Sequence, residues 1–308
     1  MTRRNNFDWL GKRDGIFALL IAVSLVICSR SVIGLLRTAW RTDEYTHILL
    51  VLPVSLALIF LEGRNLKNLP TFAPGAGFVL FLLSAATWSA IHLYPTALGA
   101  DITRALMIFA LVLFWLGSIV GCYGFQVFKA LLFPVLFLFL LVPIPGSLLD
   151  KIVVFLQQAS TGATFVLFKL SGMPVMKDGF ILSLPTLQIE VAKQCSGIRS
   201  SEMLLITGLI LTHLFLRTLW SKVVFVAFIV PMAIAKNAIR IFTLAMLGIH
   251  VNPDFLEGRL HHEGGGVFFA LALVVLLALL WVLQRVEGRI ARPQSTTMHL
   301  ETLARSLD

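Results

Sequence analysis

The chain has 308 residues, of which 58% are hydrophobic and only 13% are charged, and its mean hydropathy of +0.90 lies far above that of soluble proteins. This composition excludes a soluble globular domain and indicates an integral membrane protein. The net charge of +9 does not indicate nucleic-acid binding, because the basic residues are scattered at the ends of apolar runs instead of gathered on one polar segment. The three cysteines are too few and too scattered for a disulfide framework.

Apolar runs recur along most of the chain without a long polar linker between them, so we expect one membrane domain. Its predicted bounds are residues 15–284, with a cytoplasmic N-terminal tail over residues 1–14 and a cytoplasmic C-terminal tail over residues 285–308. The predicted fold class is all-α, a polytopic helical bundle. No cleavage site of the A-x-A type follows the first apolar run, so we expect its helix to be an uncleaved signal anchor.

Nine apolar runs approach the length of about 20 residues that a membrane-spanning helix needs. In chain order they are residues 15–36, 48–61, 75–94, 104–121, 125–142, 152–170, 197–216, 223–249 and 267–283. The sixth run is the weakest, because polar residues recur in it at helical spacing: Gln157, Gln158, Thr161 and Thr164. We therefore predict an interfacial or re-entrant helix over residues 152–170 and about eight transmembrane helices.

The basic residues support an even number of crossings, because Lys and Arg collect on cytoplasmic flanks. Both tails are basic, with Arg3, Arg4, Lys12 and Arg13 at one end and Arg285, Arg289, Arg292 and Arg305 at the other. With eight spans, residues 173–194 and 250–263 lie on the extracytoplasmic side of the membrane.

The stretch GFILSLPTLQIEVAKQC alternates loosely between apolar and polar residues, which predicts a short extracytoplasmic β-hairpin before Cys195.

This topology brings three polar features to one face of the membrane. Cys195 precedes the predicted span 197–216 on the outer side, Arg240 lies in the outer half of the next span, and His261 and His262 precede the last one. Ionisable residues inside spans are costly and are therefore functional candidates. The dipole of the following helix and a nearby guanidinium both favour a cysteine thiolate. Histidine can carry the proton and arginine can stabilise a tetrahedral oxyanion, so these residue types suffice for acyl transfer.

Each of these residues also has a structural interpretation. A buried cysteine commonly acts as a small hydrophobic residue, as we expect for Cys28 and Cys122, and an arginine can snorkel to the headgroups. A metal site is a further alternative, because one loop contains His250, Asp254, His261, His262 and Glu263. The two histidines are adjacent and form no helical ligand pair such as H-E-x-x-H, so we expect neither a metal nor a cofactor.

Five segments resemble motifs of the exosortase and archaeosortase family. QCSGIRSS at residues 194–201 is similar to the cysteine box of that family, NAIRI at 237–241 to its arginine box and HHEGGGVFF at 261–269 to its histidine box. Upstream, EYTHILLVLPVSLALIF at 44–60 and VPIPGSLLDKI at 142–152 resemble two further family segments. Each motif alone is weakly specific, but five motifs in the family's order make a specific resemblance.

The resemblance implies a membrane-embedded cysteine peptidase or transpeptidase, with Cys195 as the nucleophile and Arg240 as its electrostatic partner. A histidine of the last box is the implied acid/base residue, either His262, which is followed by Glu-Gly, or His261. Residues in or near the boxes are expected to bind the substrate or shape the site: Tyr45, His47, Ser196, Gly197 and Asn237. Lys193 and Gln194 depart from the small or acidic pair expected before the nucleophile, which puts the substrate preference in doubt.

The implied substrates are secreted proteins with a C-terminal tripartite signal of the PEP-CTERM type: a short motif such as Pro-Glu-Pro, a transmembrane helix and a basic tail. We expect cleavage at the extracytoplasmic face of the bacterial inner membrane. The expected partners are thus secreted substrates and membrane lipid, without nucleic acid. A transporter or channel and a non-catalytic membrane chaperone are the rival functions. The substrate motif, the acceptor, the balance of hydrolysis and transpeptidation, and the oligomeric state stay open.

Overall fold

The computed structural model describes residues 11–63, 74–94, 99–252 and 265–305, and most of these residues are helical. The chain divides into two compact units, Met1–Leu149 and Asp150–Asp308. Within the described residues, five helices are long and apolar enough to cross a membrane, or six if one sharply bent pair counts as a single span. The predicted all-α, multi-pass membrane fold is confirmed, whereas the predicted number of eight spans is not.

The first predicted span, residues 15–36, is broken near its middle. Helix α1 covers Lys12–Ile27 and helix α2 covers Ser29–Arg41, with a bend of 74° at the break between them. The break coincides with a change in composition, because α1 is almost entirely apolar beyond its first turn whereas α2 contains three arginines. The predicted span 15–36 is thus observed as a sharply bent pair of helices, which counts as one span only if the bend is included.

Helices α4 and α5 of the first unit pack closely through glycine residues. The helices that follow α2 are α3 over Ile48–Gly63, α4 over Pro74–Leu93 and α5 over Ala100–Tyr123. A Cβ atom on Gly77 of α4 would lie 2.9 Å from the carbonyl oxygen of Gly117 and 3.0 Å from the Cα atom of Gly121. Gly117 and Gly121 lie four residues apart on one face of α5, a small-residue spacing that lets membrane helices approach each other.

The fifth predicted span, residues 125–142, is divided into short pieces. Helix α6 covers Phe125–Ala130, helix α7 covers Leu132–Phe137, and a 3-10 helix follows over Leu138–Leu141. Pro134 explains the interruption, because proline has no N–H to donate and its ring clashes with the carbonyl four residues earlier in a continuous helix. That carbonyl belongs to Ala130, the last residue of α6.

The second unit contains a small sheet, three complete helices and most of a fourth. The fourth is α8, which covers Gly146–Leu170. The complete helices are α9 over Ile198–Phe215, α10 over Leu219–His250 and α11 over Gly265–Arg305. Leu204 of α9, Phe225 and Ile229 of α10, and Leu276 of α11 form one buried apolar cluster, so these three helices share a core. Helix α11 continues through most of the residues that were predicted to be a C-terminal tail.

A three-stranded antiparallel sheet precedes Cys195. Strands β1 (Met176–Asp178), β2 (Ile181–Ser183) and β3 (Gln188–Glu190) pair in that order. A two-residue loop joins β1 to β2, and its first residue, Gly179, has a φ of 57°, as in a type II′ turn. The buried side chain of Leu182 packs with Phe168 of α8 and Ala245 of α10. The predicted hairpin is confirmed, with a third strand added, and it is held against two helices.

Candidate active site

Cys195 lies in a short 3-10 helix, Lys193–Ser196, that leads into α9. Gly197 joins the two helices with a φ of 75° and a ψ of 15°, a left-handed conformation that favours glycine. Its carbonyl oxygen accepts hydrogen bonds from the backbone N–H of Ser201 at 2.9 Å and from the Ser201 hydroxyl at 2.8 Å. The sequence therefore forms a tight corner that places the backbone of Cys195 just before the N-terminus of a long helix.

The corner at Gly197 lies directly against Asn237 of α10. A Cβ atom on Gly197 would be 3.0 Å from both the Cγ and Oδ1 atoms of Asn237, so a side chain there would require Asn237 or the corner to shift. Asn237 is buried, and its Nδ2 atom donates a hydrogen bond of 3.1 Å to the hydroxyl of Ser160 on α8. The segment around Cys195, α8 and α10 thus converge on one buried asparagine, which was predicted to shape the site.

Arg240 lies on α10 one turn beyond Asn237 and is partly buried. Residues three positions apart in a helix are neighbours on its surface, so Arg240 belongs to the part of α10 that meets the corner after Cys195. It lies ten residues before the end of α10 at His250, roughly 15 Å along the helix axis.

Lys236 is a buried cation beside this site that the sequence analysis missed. Its side chain is only 4% exposed and its ammonium group donates a hydrogen bond to the hydroxyl of Ser200 on α9. The Ser200 hydroxyl in turn donates to the carbonyl oxygen of Gly197 at 3.0 Å. A lysine within a long apolar run, four residues before Arg240, was the available signal, because ionisable residues inside spans are functional candidates.

The polar stripe of α8 faces the interior of the second unit. Gln157, Thr161 and Thr164 are buried, whereas Gln158 is exposed. The Nε2 atom of Gln157 donates a hydrogen bond of 2.8 Å to the carbonyl oxygen of Val191, between β3 and the 3-10 helix. Two hydroxyls in the stripe donate to backbone carbonyls of α8 itself.

These contacts bear on the prediction that residues 152–170 form an interfacial or re-entrant helix. The buried side chains of Gln157, Thr161 and Thr164 have protein partners, so their polarity alone does not require contact with water. The complete helix, Gly146–Leu170, is long and apolar enough to cross a membrane. The interfacial or re-entrant placement therefore stays a prediction, while the contact of Gln157 fixes the segment that leads to Cys195.

Lys193, one of the two residues that depart from the expected family pattern, forms an ion pair with Asp150 near the start of α8. Both side chains are more than half exposed, at 54% and 59%, so the pair contributes little to stability. Its position matters more, because it gives the segment that leads to Cys195 a second contact with α8, besides the hydrogen bond from Gln157 to Val191.

Tyr45 and His47 belong to the first unit. The hydroxyl of Tyr45 donates a hydrogen bond of 3.1 Å to the carbonyl oxygen of Ile144, which lies between Pro143 and Pro145. Two segments that the sequence analysis singled out, 99 positions apart at these residues, therefore contact each other. His47 is buried, at 8% exposed. The expectation that Tyr45 and His47 help to shape the substrate site stays a prediction.

The remaining candidate residues are His261 and His262, which lie outside the described residues. The same holds for Asp254 and Glu263, so the metal alternative for this loop is untested as well. Among the part of the chain that the structure describes, no group of three or more His, Cys, Asp or Glu side chains is arranged to hold a metal ion.

A comparison with protein families gives one match, in which the profile described as transmembrane exosortase covers residues 40–278. The matched region includes the 3-10 helix with Cys195, all of α8, α9 and α10, and the candidate histidines. Comparisons with curated proteins and with solved structures find no match. The family is therefore assigned from the profile, which covers well over half of the chain.

Proposed function

Because the chain belongs to the transmembrane exosortase family, we propose that it is a membrane-embedded cysteine peptidase or transpeptidase with Cys195 as its nucleophile. Its substrates are secreted proteins with a C-terminal tripartite sorting signal, and cleavage occurs at the extracytoplasmic face of the inner membrane. The transmembrane helix of the substrate lies beside the enzyme while the short motif reaches the site.

The contact between Gly197 and Asn237 carries this proposal. It sets the backbone two residues after Cys195 against the turn of α10 that precedes Arg240. The contact supports the proposal because it joins the motif that contains the proposed nucleophile to the motif that contains its proposed electrostatic partner. The N-terminus of α9 adds a positive end of a helix dipole next to Cys195, which favours a thiolate.

In the proposed reaction the thiolate of Cys195 attacks the carbonyl carbon of the scissile peptide bond. A carbon–sulfur bond forms, and the guanidinium of Arg240 stabilises the negative charge on the carbonyl oxygen. The carbon–nitrogen bond then breaks, and the departing amine takes a proton from His262 or, alternatively, from His261. Water or an amine acceptor attacks the resulting thioester, which releases the product and restores the thiol.

The test is co-expression with a secreted reporter that carries a tripartite signal from the same genome, followed by mass analysis of the reporter. We expect the wild type to shorten the reporter and Cys195→Ala to leave it intact. Arg240→Ala should slow processing by about 100-fold to 1000-fold, the usual effect of losing one oxyanion-stabilising group. Cys122→Ala is the matched control and should process normally. Processing by Cys195→Ala at the wild-type rate contradicts the proposal.

The terminal mass of the shortened reporter separates two outcomes within the proposal. A free carboxyl group at the new C-terminus indicates hydrolysis of the thioester by water. An added mass indicates transfer to an amine acceptor, and its value gives the chemical class of that acceptor.

A further inference from the structure

Helix α2 has three faces of different composition. Leu35 and Ala39 are buried, at 5% and 0% exposed, and hold the helix to the rest of the first unit. An exposed apolar face consists of Ile33, Leu36 and Trp40, of which Trp40 is 78% exposed. Next to it lies an exposed basic face of Arg30, Arg37 and Arg41, whose positions fall within roughly 40° of arc at 3.6 residues per turn.

The apolar and basic faces meet in an open groove with a volume of about 370 Å³. Its lining residues are Ile33, Leu36, Arg37, Trp40 and Arg41. Among the described residues, no carboxylate forms an ion pair with the arginines of α2. The groove therefore offers an apolar wall and two available guanidinium groups side by side, which fits a ligand with a hydrocarbon part and an anionic part.

The orientation of α2 also suits a lipid ligand. Helix α1 has 16 residues, about 24 Å of helix, and is mainly apolar, whereas α2 turns away from it by 74°. If α1 runs along the bilayer normal, α2 lies close to the plane of the membrane surface. A helix in that plane places apolar side chains at the acyl boundary and arginines at the headgroups.

We propose that α2 lies in the membrane interface and that its groove binds an anionic phospholipid. The phosphate of the headgroup accepts hydrogen bonds from Arg37 and Arg41, while an acyl chain packs on Leu36 and Trp40. Arginine suits this role because its planar guanidinium binds phosphate through two parallel hydrogen bonds. The proposal concerns a face of the first unit and does not depend on the chemistry assigned to Cys195.

Native mass spectrometry of the full-length protein in detergent tests this proposal. The protein is titrated with phosphatidylglycerol or with phosphatidylcholine, and retained lipids are counted. We expect phosphatidylglycerol to be retained preferentially, and Arg37→Gln/Arg41→Gln to weaken its binding about 30-fold, since each basic residue near an anionic lipid contributes about a fivefold effect. Arg37→Lys/Arg41→Lys keeps both charges but loses the two parallel hydrogen bonds of each guanidinium, so its binding should lie between that of the wild type and that of the Gln double variant.

The matched control is Arg217→Gln/Arg285→Gln, which removes two exposed arginines from the second unit. This control should bind phosphatidylglycerol like the wild type. Equal retention of the two lipids by the wild type overturns the proposal. Equal loss in the two Gln double variants also overturns it, because binding then follows the net charge of the protein and not the groove on α2.

Discussion

Gly197 lies so close to Asn237 that a methyl group at this glycine would meet the Oδ1 atom of the asparagine at 3.0 Å. The contact joins two of the family motifs, the one that contains Cys195 and the one that contains Arg240. Two features of the corner after the cysteine therefore favour glycine at position 197. One is the left-handed backbone conformation, and the other is the short distance to the side chain of Asn237. The distance between the two motifs therefore depends on Gly197, a residue without a reactive side chain.

Replacement of Gly197 by alanine should abolish processing of the reporter while the protein remains inserted in the membrane. The new methyl group forces the corner away from Asn237, and a left-handed alanine costs about 1–2 kcal/mol in addition. The measurement combines reporter processing with thermal unfolding of the purified protein.

The control for this variant is Gly172→Ala. Gly172 has a φ of 76°, like Gly197, but a Cβ atom there would meet nothing within 4 Å. This control should lose a similar amount of stability from its backbone conformation and still process the reporter. If both variants process equally well, the contact with Asn237 does not position the site.

Replacement of Lys236 by methionine should slow both reporter processing and alkylation of Cys195, each by about tenfold, with little loss of thermal stability. Removal of a buried charge is often neutral for stability, whereas the ammonium group adds positive charge next to the corner that follows Cys195. The alkylation rate is measured in a Cys28→Ala/Cys122→Ala background, so that Cys195 is the one thiol that reacts.

Ser200→Ala separates the charge of Lys236 from its hydrogen bond. This variant removes the acceptor hydroxyl but keeps the ammonium group, and it should affect alkylation less than Lys236→Met does. If Ser200→Ala slows alkylation as much as Lys236→Met, the lysine acts by holding α9 and not by its charge. Lys222→Met, at the first turn of α10, is the control for loss of a lysine elsewhere.

Replacement of Gln157 by leucine should lower the stability of the protein by about 1–3 kcal/mol, because it leaves the buried carbonyl of Val191 without its donor. Differential scanning calorimetry of the purified protein measures this loss of stability. Gln158→Leu, at the neighbouring exposed position, removes no contact of this kind and should be close to neutral. Equal unfolding temperatures for the two variants contradict the structural role assigned to the buried stripe.

The sequence predicted those parts of the fold that depend on local patterns. The alternation before Cys195 predicted strands, and in β2 the buried Leu182 is flanked by half-buried Ile181 and Ser183, as the pleat of a strand requires. The order of motifs predicted that the segments with Cys195 and Arg240 lie near one face, and the structure adds a contact between the two motifs, from Gly197 to the side chain of Asn237.

Other features depend on what a segment packs against. The partners of Gln157 and Thr161 lie on the segment after β3 and on α8 itself, and periodicity cannot reveal such partners. Hydrophobicity alone predicted one span over residues 125–142, whereas Pro134 interrupts the helix there. Lys236 does not follow from the acyl-transfer pattern, because that pattern consists of cysteine, arginine and histidine and includes no lysine.

Replacement of Gly77 by alanine should destabilise the first unit, because the new Cβ atom would meet backbone atoms of α5 at 2.9 Å and 3.0 Å. Backbone atoms cannot rotate aside as side chains do, so α4 has to move away from α5, at a cost of about 1–3 kcal/mol. Gly75→Ala on the same helix is the control, since a Cβ atom there meets nothing within 4 Å and alanine favours helix formation. Thermal unfolding should therefore separate the two variants by several degrees, with Gly77→Ala the lower. Equal unfolding temperatures would mean that α4 and α5 do not pack as closely in the membrane as their glycines allow.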